Sequence, residues 1–126
     1  MSEERRPFTP AGRLRSMRYA VAGIAYMLRT QHNAWLHAVA SAGVVAAGLA
    51  FRVTAADWRW LVAAMAIVWV AEAMNTAFEH LCDVVSPEFH DGVQKSKDVA
   101  AGAVLLAAIA AAAIGISVFA AYLPVG

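Results

Sequence analysis

Val99–Leu123 runs for 25 residues without a charged side chain. In lipid no water reaches the backbone N–H and C=O groups, so such a segment has to satisfy them internally. It is expected as a helix, about 37 Å long if fully formed. Two shorter apolar stretches precede it. Ala34–Phe51 holds 18 residues with no formally charged side chain, about 27 Å of helix, softened only by His37 and Ser41. The other opens at Trp58 and Trp60, placed where an aromatic belt would lie, and reaches about Cys82. The chain is 61% hydrophobic and 15% charged, which sets aside an ordinary soluble domain. Its 126 residues fit one domain, 1–126. The expected class is an all-α membrane protein with transmembrane helices over 34–51, 58–82 and 99–123.

Before the first span, residues 11–30 carry a different pattern. Leu14, Met17, Val21, Ile24 and Leu28 recur at helical spacing, while Arg13, Arg15, Arg18 and Arg29 lie mostly off that stripe. The pattern predicts an N-terminal amphipathic helix on the membrane surface, against the plainer reading of a helix packed on soluble partners. Residues 1–10 are polar, and the N-terminal MSEERRPFTPAGRLRS has no apolar h-region, so no cleavable signal peptide is expected. Arg52–Asp57 is predicted as a tight turn and Val84–Asp98 as a polar loop. Within that loop Ser86-Pro87 resembles a helix start, and Gly92 is expected to interrupt any long helix.

Charge sets the expected orientation. Arg5, Arg6, Arg13, Arg15, Arg18 and Arg29 fall on the same side of three spans as Lys95 and Lys97. The positive-inside bias then puts the N-terminus and the 84–98 loop in the cytoplasm and Gly126 outside. A basic N-terminus also suits nucleic acid, but beside these spans an anionic lipid surface is the better partner, and no nucleic-acid partner is expected. Cys82 is the single cysteine, so no intrachain disulfide is expected.

The chemistry concentrates at the end of the middle span. Ala71–Asp83 reads AEAMNTAFEHLCD. At about 100° per residue, Glu72, Asn75, Glu79 and Asp83 share a helix sector roughly 80° wide. A carboxylate near the bilayer centre is unfavourable by about 2.5–3.5 kcal/mol even on lenient insertion scales, so two on one stripe point to a site. Glu72 and Glu79 are seven residues apart, about 10.5 Å along the axis, too far to share one metal on one helix. Different roles follow: Glu79 as a ligand for Mg²⁺, Glu72 as the base that takes a proton from a hydroxyl. Lysines at 95 and 97 suit phosphate. Carboxylate, amide, lysine and metal are the components of phosphoryl transfer. The plainer alternative is that both acids make polar contacts between subunits. No glycine-rich Walker loop or kinase-type lid accompanies them.

ExxNTAxExxxD over Glu72–Asp83, SPEFH over Ser86–His90, KDVAAGAVL over Lys97–Leu105 and Tyr19-Ala20-x-x-Gly23 together resemble the small bacterial membrane lipid kinases, the diacylglycerol and undecaprenol kinases. The resemblance covers nearly the whole chain. It implies a surface helix, three spans and a homotrimer with active sites between subunits, transferring the ATP γ-phosphate to a lipid alcohol. It also implies Glu72 and Asn75 as the catalytic residues and Glu79 as a metal ligand. Lys97 and Asp98 would contact ATP, with Tyr19, Glu88, Phe89 and His90 at its edges. Two positions depart. Gln31 stands where the family often has a second metal-binding Glu, and Trp35 where a basic residue is common. An amide oxygen still ligates Mg²⁺, more weakly. His37 and SPEFH lean toward the undecaprenol branch.

Other readings compete. A small ion- or proton-coupled transporter would use Glu72 and Glu79 as relay carboxylates, but it has no need of cytoplasmic lysines. A non-catalytic membrane subunit leaves the one-sided acids without a reason. His80 and Cys82, two apart, do not face each other on a helix, which speaks against structural zinc.

Overall fold

The computed structural model describes residues 7–124, so Arg5, Arg6 and Gly126 lie outside it. Four helices follow in order: α1 Pro10–Thr30, α2 His32–Phe51, α3 Ala55–Val85 and α4 Asp91–Ala120. α2, α3 and α4 are each long and apolar enough to cross a membrane. No strand or cis peptide interrupts the described chain.

The helix ends are set by short-range chemistry. Thr9 starts α1, its Oγ1 accepting from the Gly12 N–H at 3.0 Å, with Pro10 in the first turn where no backbone N–H is needed. Only Gln31, in extended conformation, separates α1 from α2. α2 ends in a Schellman motif: Val53 N–H donates to the Gly48 carbonyl and Arg52 N–H to that of Leu49. Arg52 fills its left-handed position at φ 54°, where glycine is usual. Thr54 then caps α3, accepting from the Asp57 N–H at 3.1 Å. The tight turn expected over Arg52–Asp57 is therefore only Arg52–Thr54.

The expected 84–98 loop is corrected more strongly. α3 continues to Val85, only Ser86–His90 are non-helical, and Asp91–Asp98 form the first turns of α4. Ser86 caps the end of α3 rather than starting a helix. His90 is the N-cap of α4, its Nδ1 accepting from the Gly92 N–H at 3.1 Å. Gly92 sits in the first turn, where its N–H has no intrahelical acceptor in any case, so it does not break the helix. The polar segment is held helical by Lys95–Asp91 at 2.9 Å and Gln94–Asp98 at 2.9 Å, both at i,i+4 spacing.

α3 is the central element. It packs most extensively on α4 and less on α2, and α1 rests lightly on both α2 and α3. The compact apolar cluster lies at the α2–α3 turn, where Val53, Leu61 and Val118 are buried with Trp58 and Phe119 against them. Tyr122 fastens this end: its hydroxyl donates to the Asp57 carboxylate and accepts from the Thr54 N–H at 3.1 Å. The buried apolar set is otherwise short, and large side chains such as Leu36, Val39, Leu49, Val62, Leu106 and Ile116 are exposed. Apolar surface on this scale needs lipid or further protein to cover it.

Candidate active site

Three polar side chains are buried among the described residues, Glu72, Asn75 and Thr76, all on α3. Glu72 is 1% exposed. Thr76 is spent locally, donating to the Glu72 carbonyl at 2.9 Å. The acids on the predicted sector are graded by depth: Glu72 buried, Glu79 half-buried, Asp83 exposed and bound by Lys97 Nζ at 3.0 Å.

α2 supplies the facing side. Asn33, His37 and Ser41 recur every four residues and so share one face. Ser41 Oγ accepts from Trp69 Nε1 at 3.0 Å, and one turn along His37 Nε2 lies 3.3 Å from Glu72 Oε2. The Trp69 ring meets His37 edge-on at 6.2 Å. The His37–Glu72 approach is off-axis, and neither atom makes a hydrogen bond.

Beyond this pair lies a cavity of about 310 Å³ with Asn33, His37, Asn75 and Glu79 on its polar side and Ala101, Val104 and Ala108 of α4 opposite. Asn75 Nδ2 donates to Glu79 Oε1 at 3.4 Å, while its Oδ1 is buried with no partner. Toward the α2–α3 turn a second, nearly apolar cavity of about 460 Å³ runs past Val44, Leu61, Val68, Ala112 and Phe119. His37 and Ala108 border both, so the two form one trough, polar at one end. Alanines on α4 keep it open.

The oxygen donors at the polar end suit a hard cation. Glu79 opens onto the cavity, Asn75 offers an unpartnered amide oxygen, and Gln31 stands two residues before Asn33 at the α1–α2 junction. Among the described residues no group of three His, Cys, Asp or Glu gathers as a dedicated metal cage. Mg²⁺ commonly binds through one or two protein oxygens plus water and substrate phosphates.

The remaining expected site residues are dispersed. Lys97 is tied to Asp83 beside the acid stripe, whereas Asp98 accepts from Gln94 on the exposed side of α4. Glu88 and Phe89 are exposed in the α3–α4 break, and His90 is engaged as a cap. Tyr19 is 71% exposed on α1 and Trp35 62% exposed on α2, neither bordering the trough. Sequence reasoning left His37 without a role and passed over Asn33. The four-residue spacing of Asn33, His37 and Ser41 was the signal for both.

Fold and site together define an all-helical, multi-pass membrane protein with a buried carboxylate behind His37, where a polar and an apolar cavity adjoin. Residues 18–119 match the family model described as prokaryotic diacylglycerol kinase, and the chain belongs to that family. It is similar to a diacylglycerol kinase of Synechocystis sp., 39% identical over 101 residues, covering 79% of this chain and 58% of that protein. It is also similar to an undecaprenol kinase of Bacillus subtilis, 30% identical over 105 residues, covering 83% of this chain and 85% of the relative.

Proposed function

We propose that this chain is a lipid kinase that moves the γ-phosphoryl group of ATP to the hydroxyl of a membrane lipid alcohol, diacylglycerol or undecaprenol. It works as a homotrimer in the cytoplasmic membrane, with α1 on the inner surface and the Lys97 end of α4 toward the cytoplasm. The observation that carries the reading is Glu72, a buried carboxylate 3.3 Å from His37, the side chain that borders both the polar and the apolar cavity. A lipid tail suits the apolar length and brings its hydroxyl to the carboxylate. The family relatives support the same chemistry.

Glu72 takes the hydroxyl proton as the lipid oxygen bonds to the γ-phosphorus and the bond to the β-phosphate oxygen breaks, releasing ADP. Asn75, one turn along, supports the polar end of the lipid and fixes Glu79 through its amide N–H. Glu79 and Gln31 would hold Mg²⁺, which when bound would neutralise triphosphate charge. Lys97 exchanges Asp83 for a nucleotide phosphate. Asp98 contacts the nucleotide, and Tyr19, Glu88, Phe89 and His90 border it. Transport has no observation in its favour.

The test is a paired assay. The purified protein in mixed micelles, given Mg²⁺ and γ-labelled ATP, labels diacylglycerol, undecaprenol or both. Absence of a phosphorylated product with either lipid overturns the reading.

A further inference from the structure

We propose that His37 is a positioning residue for Glu72, fixing the direction in which the buried carboxylate faces the lipid hydroxyl; this rests on the kinase reading above. The Glu72 carboxylate is enclosed, and Oε2 has no hydrogen bond. The histidine nitrogen 3.3 Å away is in the same condition. Two buried polar atoms that lack other partners and face each other at this distance are a pair waiting to close, because each otherwise bears its full desolvation penalty. Catalytic contacts of this kind are often long before substrate arrives and tighten in the reacting complex.

The surroundings leave Glu72 few alternatives. Along α3 the next carboxylate on this face is Glu79, two turns away and engaged by Asn75. In the adjoining cavity α4 presents Ala101, Val104, Leu105 and Ala108, without a polar side chain. The imidazole is itself held. Trp69 meets it edge-on, and the Trp69 indole is locked by its bond to Ser41 on the same face of α2 as His37. Ser41, Trp69 and His37 thus form a buttress whose last member touches the base. His37 borders both cavities while the enclosed Glu72 lines neither, so the imidazole is the group between the carboxylate and the space a lipid hydroxyl would occupy.

The experiment compares His37→Ala and His37→Gln, whose amide nitrogen reaches about as far as Nε2, in the full-length protein with Mg·ATP and the preferred lipid. His37→Ala is expected to lower kcat at least tenfold with the KM for ATP unchanged, and His37→Gln to recover most of that loss. Placed on a Glu72→Gln background, whose residual rate is read with labelled ATP, His37→Ala is expected to add no further loss, since it acts through the carboxylate. In parallel, the infrared carboxylate stretch of Glu72, assigned by its disappearance in Glu72→Gln, shifts in His37→Ala and returns toward the parent position in His37→Gln. That readout needs no turnover. Equal defects in the two His37 variants, independent losses in the double variant, or an unmoved carboxylate band would each overturn the inference. A parent protein that phosphorylates neither lipid would instead overturn the kinase reading and leave the infrared comparison to decide the pairing.

Discussion

Gly48→Ala tests how rigidly α2 is registered on α3. Gly48 is buried against the Trp58 indole, and a methyl group there would lie 2.5 Å from Cη2, 2.7 Å from Cζ2 and 3.1 Å from Cζ3. Ordinary carbon–carbon contact begins near 3.5 Å, so the nearest atom is about 1 Å too close. The indole has little room to swing, because it packs against the buried cluster of Val53, Leu61 and Val118. The remaining escape is separation of α2 from α3 by roughly that 1 Å, and overpacking of this kind is destabilising by about 1–3 kcal/mol. The same helix pair carries the Ser41–Trp69 bond at 3.0 Å and the His37–Glu72 contact at 3.3 Å. Widening it should lower lipid phosphorylation as well as stability. Denaturant titration in mixed micelles gives the stability difference and the labelled-ATP assay gives the rate. Gly48→Ala/Trp58→Leu should recover part of both losses. A Gly48→Ala protein with parental stability and rate, or a double variant no better than the single, would refute the argument.

Glu72→Gln should reduce turnover at least 100-fold while the assembly state, read by size-exclusion chromatography with light scattering, stays parental. Gln31→Glu should lower the Mg²⁺ concentration needed for half-maximal rate, since a carboxylate binds this cation better than an amide; a magnesium titration of the rate checks it. Arg52→Gly should stabilise the protein by about 1 kcal/mol, because Arg52 occupies a left-handed cap at φ 54°, and the same denaturant titration reads it.

The spans and the acid-bearing face of α3 were legible because hydropathy and helical period are local properties. Glu72, Asn75, Glu79 and Asp83 do follow one another along α3 from interior to surface. The helix ends were not legible, since side-chain geometry decides them. A histidine ring at position 90 caps α4 and turns a predicted loop into helix, and an arginine accepts the left-handed turn that composition would assign to glycine. Contacts between distant residues were the other gap. Tyr122 reaching Asp57 and His37 reaching Glu72 depend on how the helices are registered against one another. For His37 the spacing on α2 held a clue, whereas no local pattern marked Tyr122.

The joint at Gln31 gives α1 and α2 almost no slack. With a single extended residue between two helices, two backbone torsions must absorb any change in their mutual angle. A tilt of the first helix is delivered to the start of the next, where Asn33 borders the polar cavity and His37 follows one turn later. Whatever presses on α1 from outside is therefore felt at the mouth of the trough.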